Sequence, residues 1–210
     1  MRDQTEFKVG ERGVDRPQIT QFQPNPFRKA RVPDPLHFEV NVVAEAHERQ
    51  KKSGVVEVNI PGFSPARLYC DEQTPVGDDT APPPLAYFSA GIAFCLLTHL
   101  TDILTARKIE VTAMKIEQRI RFKTNLSTMR QLGHQTQGEC EGIESHVLIE
   151  SPEAQAVVQG LLAEAESACM AHFALRNPLP WMTRLVHNGE ELEKREGVGP
   201  EETLPADRPD

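Results

Sequence analysis

Residues 84–100 read PLAYFSAGIAFCLLTHL, an almost unbroken apolar run that follows two further prolines. Proline suits the first turn of a helix, whose amides have no partner within the helix, so the run predicts a helix from about Pro83 to Arg107. The apolar part is shorter than a membrane span and contains Ser, Thr and His, so we expect a core helix and no membrane association. Cys95 lies in the middle of this helix, where packing alone requires no thiol.

A second cysteine, Cys169, lies in the helical stretch AEAESACMAHFA, residues 163–174. The segment Ser151-Pro152-Glu153 is typical of a helix start, with serine as the N-cap, proline at the first position and an acid in the first turn. We expect this second helix to run until Asn177-Pro178 stops it. Two thiols on two helices far apart in sequence indicate redox or metal chemistry that the fold assembles.

Alternation of apolar and polar residues predicts the strands of the domain. The predicted strands are His37–Ala46, Val55–Ile60, Arg67–Asp71, Glu110–Phe122, Gly138–Glu150 and Met182–His187. Strands, a helix, two strands, a helix and a closing strand predict an α+β domain.

Composition divides the chain into three parts. Residues 1–36 are polar and proline-bearing and predict an irregular N-terminal arm, whereas residues 37–188 form the domain. Residues 189–210 hold eight acids against three bases, which is −5 of the total charge of −8. We interpret this segment, including its prolines and glycines, as a solvated, disordered acidic tail.

The charge pattern and the N-terminal residues limit which classes of function the sequence favours. The chain has no basic patch of the kind that binds nucleic acid. The first residues, MRDQTEFK, have no apolar region of the secretory kind, so we expect a cytoplasmic protein. Thiols stay reduced in that compartment, so the four cysteines do not predict a disulfide framework.

Each helix pairs its cysteine with a histidine at helical spacing. His99 is four residues after Cys95, with Asp102 near the same stripe, and His172 is three after Cys169. One interpretation is a nucleophilic thiol with a resolving partner, and another is a tetrahedral metal site. The alternative is packing, because free cysteine is often a buried small hydrophobe. Cys70 and Cys140 are interpreted as structural, and Asp78-Asp79 as a solvated loop pair.

The segment GDDTAPPPLAYFSAGIAFC, residues 77–95, resembles the loop and central helix of the OsmC/Ohr superfamily. The step Lys108-Ile-Glu-Val111, the Ser151-Pro-Glu153 start and Cys169 extend the resemblance over roughly residues 37–187. The resemblance implies antiparallel sheets packed on a long central helix, and an intertwined homodimer with both cysteines at the subunit interface. It also implies a cysteine-based peroxidase of peroxiredoxin type, an antioxidant protein that reduces organic hydroperoxides without a cofactor or metal.

By this resemblance, Cys95 is the peroxidatic thiol and Cys169 the resolving thiol, and an external dithiol reduces their disulfide. Peroxidase members of the family carry a glutamate about ten residues before the first cysteine, and it holds an arginine against the thiolate. This chain has Leu85 and Ala86 at those positions. Arg49 is the nearest candidate for the arginine, and His99 or His172 are alternative sources of a cation.

Three functions remain open from the sequence. The first is the peroxidase, whose pocket for an apolar substrate would be lined by Phe88, Ile92, Phe94 and Phe173. The second is a non-peroxidase member of the superfamily that binds an apolar ligand or a metal between the Cys/His-bearing helices. The third is a structural dimer in which the cysteines only pack.

Overall fold

The computed structural model describes residues 20–21, 36–60, 62–124 and 138–199. The strands are β1 (Thr20–Gln21), β2 (Val40–Ala46), β3 (Lys52–Val58), β4 (Ala66–Cys70), β5 (Ala113–Thr124), β6 (Gly138–Glu150), β7 (Pro180–His187) and β8 (Glu190–Val198). The helices are α1 (Pro84–Arg107), α2 (Gln155–Val158), α3 (Leu161–Ala168) and α4 (Met170–Arg176), with a 3-10 turn at Glu48–Gln50.

The described strands form three antiparallel sheets, in the orders β1-β5-β6, β2-β3-β4 and β7-β8. The long pair β5-β6 is in register from Ala113 opposite Glu150 to Thr124 opposite Gly138, with one irregularity at Arg121/Phe122. Helix α1 packs on β5 and against α3 and α4. The α+β class, the antiparallel sheets and the long helix are therefore as the sequence predicts.

The core lies along one face of α1. Leu96, Leu100 and Leu104 follow at intervals of four residues, are at most 1% exposed, and meet Leu161 and Ala165 of α3. Burying each leucine contributes about 2 kcal/mol. By length and composition α1 could also cross a membrane, but in this structure it is the core helix of a folded domain.

The second helix differs from the prediction, because it is divided into α2, α3 and α4. Ser151 Oγ does accept the Glu153 amide at 3.1 Å, yet the helix begins only at Gln155. Gly160, with φ +91°, separates α2 from α3, and extended backbone at Cys169 separates α3 from α4. The division places Cys169 at a helix start rather than within a helix.

The predicted disordered tail is wrong for residues 190–198, which form β8 and pair with β7. Asn188-Gly189 joins the two strands with φ values of +50° and +87°. This dipeptide favours tight hairpins because both positions tolerate positive φ. An exposed ion pair between Arg184 and Glu191, at 3.4 Å, links the two strands. Residues 200–210 lie outside the described residues.

The predicted irregular arm, residues 1–36, is described only at Thr20–Gln21 and Leu36. Thr20 and Gln21 pair with Met114 and Ala113, which makes β1 an edge strand beside β5. The arm therefore includes one short ordered contact with the central sheet, and the rest of this prediction lies outside the described residues.

Candidate active site

Helix α1 holds Cys95 at the edge of the core. Cys95 directly precedes the buried Leu96, and its side chain is half-buried against the core cluster. His99 follows one helical turn later and is also half-buried, whereas Asp102 is exposed. Cys95 is thus a thiol on a rigid element, with part of its surface accessible.

Cys169 reaches the same region from the other side of the core. Its side chain is fully buried, and its backbone is extended (φ −79°, ψ 111°) where α3 ends and α4 begins. The carbonyl of Cys169 accepts the Phe173 amide at 2.9 Å, which starts α4. The thiol is therefore fixed at the N-terminus of a short helix and faces the core.

The fold brings the two thiols together, although 74 positions separate them in the chain. Burial raises the pKa of Cys169, and a hydrogen bond with Cys95 raises it further, while the amides of His172 and Ala171 act in the opposite direction. Both cysteines are free thiols here. The arrangement keeps Cys169 protonated near neutral pH, beside a more accessible thiol.

His172 completes the cluster. Its Nδ1 lies 3.2 Å from Cys169 Sγ, across the first turn of α4, and its side chain is 7% exposed. Burial lowers the pKa of His172; Glu166 raises it and Arg176 lowers it, both with smaller effects. The lowered pKa disfavours a protonated ring near pH 7, which argues against His172 as the source of the cation.

Arg176 holds the break between α3 and α4 in place. Its Nη2 donates to the Glu166 carbonyl at 2.8 Å, and its Nε donates to the His172 carbonyl at 3.2 Å. Its Nη1 also pairs with the Glu166 carboxylate at 3.2 Å. The guanidinium thus joins the last turn of α3 to α4 on either side of Cys169. Arg176 is not identified from the sequence, since nothing in the local pattern predicts the helix break.

Arg49 lies at the turn between β2 and β3 and has a carboxylate partner. Its Nε donates to Asp78 Oδ1 at 2.6 Å, and Lys51 Nζ lies 2.7 Å from Asp78 Oδ2. The hydrogen bond from Lys51, followed by that from Arg49, lowers the pKa of Asp78. Asp78 is thus a loop residue whose side chain is 29% exposed, as predicted, but it also has two ion-pair partners that the sequence does not predict. The approach of Arg49 to Cys95 remains a prediction.

Asp71 organises the loop that presents Asp78. Asp71 is fully buried and accepts the amides of Glu72 at 2.8 Å and Thr80 at 2.9 Å, together with the Thr80 hydroxyl at 2.7 Å. Burial raises the pKa of Asp71, but these hydrogen bonds outweigh it and leave the pKa below its ordinary value. The signal in the sequence is a lone Asp directly after an apolar strand end.

The structure gives no support to the metal site considered from the sequence. Among residues 36–60, 62–124 and 138–199, no three His, Cys, Asp or Glu side chains are arranged to hold a metal ion. The four residues expected to line an apolar substrate differ in burial. Ile92 is buried, while Phe88, Phe94 and Phe173 are 45–66% exposed.

Comparison with known proteins decides the family. The model of the family "OsmC-like protein" matches residues 77–184, slightly more than half of the chain. The chain belongs to the OsmC-like protein family. The match begins at the loop that Asp71 organises, and it includes α1, Cys95 and Cys169. None of the curated proteins matches the chain.

Solved structures resemble the chain to different degrees. An OsmC-like protein from Mycoplasma pneumoniae matches with a TM-score of 0.50 at 18% identity, over 66% of this chain and 87% of that one. An OsmC-like hydroperoxide resistance protein from Jannaschia sp. CCS1 matches with a TM-score of 0.47 at 22% identity, over 74% of this chain and 97% of that one. The organic hydroperoxide resistance protein OhrB of Bacillus subtilis matches with a TM-score of 0.41 at 18% identity, over 66% of this chain and 90% of that one.

Proposed function

We propose that this OsmC-like protein reduces organic hydroperoxides through Cys95 and Cys169. The contact between two free thiols from separate helices carries the proposal, because packing alone does not require sulfur at both positions. The Cys95 thiolate attacks the peroxide O–O bond, which leaves a sulfenic acid on Cys95 and releases an alkoxide that takes a proton to become an alcohol. Cys169 then displaces the hydroxyl group as water and forms a disulfide with Cys95. An external dithiol reduces that disulfide.

The difference in burial supports the two roles that we propose. A peroxidatic thiol must meet an outside substrate, and Cys95 is the half-buried member of the pair. Cys169 is fully buried and its pKa is raised, so it is a poor first nucleophile. We therefore propose that Cys169 attacks the Cys95 sulfur after its oxidation. We propose Arg49 as the cation of the site, with Asp78, 2.6 Å from Arg49 Nε, as its carboxylate partner in place of the family glutamate.

The experiment follows the thiols of the purified protein with cumene hydroperoxide and a dithiol reductant. We expect peroxide consumption, and an intact mass that shows loss of two hydrogens and a Cys95–Cys169 link. Cys95→Ser should abolish consumption. Cys169→Ser should form the sulfenic acid, trapped by dimedone, without the disulfide. Cys140→Ser, at an exposed position on β6, is the matched control. Unchanged consumption by Cys95→Ser would exclude the proposal.

We further propose that the active unit is a homodimer. Neighbouring residues of a strand point to opposite faces of a sheet, yet Val42 and Val43 of β2 are 57% and 70% exposed. Both faces of β2 therefore carry exposed apolar side chains within the described part of the chain, and exposed apolar patches of this kind indicate a partner surface. Light scattering during gel filtration should give twice the chain mass, and a monomer at every concentration would exclude this unit. We place the protein in the cytoplasm, where reducing dithiols are available.

A further inference from the structure

The disulfide-closing step requires that the Cys169 thiol lose its proton. A thiolate, not a thiol, attacks an oxidised sulfur. Cys169 is fully buried, and its neighbour Cys95 adds no positive charge that would favour the thiolate. The proton on Cys169 therefore needs an acceptor within the protein, close to the sulfur and shielded from bulk water.

The only side-chain nitrogen that the described structure places in hydrogen-bond contact with Cys169 Sγ is Nδ1 of His172, at 3.2 Å. The ring is 7% exposed, and the Arg176 contact to the His172 carbonyl fixes the backbone that carries it. A general base must lie within hydrogen-bond reach of the proton it removes, and this separation meets that requirement for sulfur.

We propose that His172 is the general base and general acid of the disulfide-closing step, an inference that rests on the proposed function. His172 Nδ1 takes the proton from the Cys169 thiol, and the Cys169 sulfur forms a bond to Cys95 Sγ. The S–O bond of the Cys95 sulfenic acid breaks, and the leaving hydroxide takes the proton from the imidazolium to become water. The step begins with a neutral imidazole and returns it.

The surroundings of His172 agree with this use. Burial lowers the pKa of the ring, so it starts neutral and able to accept a proton. The charged groups that act on it are Glu166 of α3 and Arg176 of α4, which pair with each other at 3.2 Å. Among the described residues, the thiol of Cys169 contacts the ring directly, and the thiol of Cys95 interacts in turn with Cys169. No fixed net charge therefore holds the ring in the protonated form.

The test separates disulfide closing from peroxide chemistry. In a Cys70→Ser, Cys140→Ser background, an aromatic disulfide forms a mixed disulfide with Cys95 and releases one arylthiolate. Attack by Cys169 then releases the second, and stopped-flow absorbance follows both phases. We expect His172→Asn to slow the second phase at least about tenfold and to leave the first unchanged. The wild-type second phase should already be level at neutral pH, because the pKa of His172 is lowered, whereas that of the variant should keep rising with hydroxide concentration.

Two further variants exclude a purely structural role. Asparagine places an amide near Nδ1, so His172→Asn keeps a polar contact to the sulfur, whereas His172→Gln places it nearer Nε2. A structural role predicts normal closing in His172→Asn and slow closing in His172→Gln; a proton-transfer role predicts slow closing in both. His146→Asn, at an exposed position on β6, is the control. A fast second phase in folded His172→Asn overturns the proton-transfer role of His172, even if the protein is a peroxidase. If Cys95 does not react with hydroperoxide, only the proposed peroxidase activity is overturned.

Discussion

At the scale of single residues, the four thiols of this chain differ mainly in access. Cys140 is exposed, Cys70 and Cys95 are half-buried, and Cys169 is fully buried. Burial raises the pKa of both Cys70 and Cys169. Access and thiolate fraction together set the rate of alkylation, so the structure predicts a large difference between Cys140 and Cys169.

We expect iodoacetamide at pH 8 to modify Cys169 at least about tenfold more slowly than Cys140, because the buried thiol is both shielded and protonated. Peptide mapping by mass spectrometry after timed quenching measures both rates in one sample. Modification in urea, where both sites are open, is the control and should remove the difference. Equal rates in the folded protein would contradict the burial of Cys169.

The sequence predicts some residues of the site and misses the contacts of others. Cys95 and Cys169 are identified because a resemblance links residues that lie far apart, which local periodicity cannot do. The sequence favours a solvated Asp78, because an acid in a loop rich in Pro, Gly and Asp has no visible partner. Its partners, Arg49 and Lys51, come from a distant turn, so only the tertiary structure reveals the pairing.

At the scale of elements, the sequence predicts α1 almost to the residue because its apolar run and its initial prolines are local signals. The breaks of the second helix do not follow from such signals. The pattern around Gly160 predicts an interior helix residue, but its φ of +91° ends a helix. Strand β8 escapes prediction because its many charges resemble a disordered segment, although Asn188-Gly189 is a strong hairpin signal.

The loop after β4 provides a prediction at this scale. An added Cβ on Gly77 would lie 2.3 Å from the Glu72 carbonyl oxygen and 2.4 Å from Asp71 Oδ1. Gly77→Ala should therefore open the loop and lower the free energy of unfolding by about 2 kcal/mol or more, since buried hydrogen bonds are lost. Urea unfolding followed by circular dichroism measures the change.

Gly91 is the matched control for Gly77. Gly91 lies within α1, and an added Cβ there meets nothing within 4 Å beyond the helix itself. Gly91→Ala should raise the free energy of unfolding by about 0.5–1 kcal/mol, because alanine favours the helix. If Gly77→Ala were as stable as Gly91→Ala, the tight packing of Asp71 against this loop would be refuted.

The loop also predicts an effect of the buried carboxylate. Asp71→Asn keeps the size of the side chain but replaces one acceptor oxygen by an amide donor that faces the Thr80 or Glu72 amides. We expect a loss of about 1–3 kcal/mol in the free energy of unfolding. Urea unfolding at pH 7 measures it, and Asp79→Asn in the same loop is the comparison. An Asp71→Asn protein of wild-type stability would show that these hydrogen bonds add nothing.

At the scale of the whole molecule, stability should depend on pH in separate windows. The lowered pKa of His172 means that below its ordinary value of 6.5 the unfolded chain binds a proton that the folded chain does not. Asp71, Asp78 and Glu144 also have lowered pKa values, but from ordinary values of 3.8 to 4.5, so their contribution is lost only at more acidic pH. Between about pH 5 and pH 6.5, the lowered pKa of His172 therefore makes stability fall as the pH falls.

We predict that the free energy of unfolding is level near pH 7, falls as the pH drops below about 6.5, and falls again below about pH 4.5. His172→Asn should remove the first decline and keep the second, because its side chain takes up no proton in either state. Urea unfolding at fixed protein concentration, at half-unit steps from pH 7 to pH 4, measures both. His146→Asn, an exposed histidine on β6, should keep both declines. If His172→Asn declined between pH 6.5 and pH 5 as steeply as the wild type, the ring would not be buried in its neutral form. Its use as a proton acceptor for Cys169 would then have no basis.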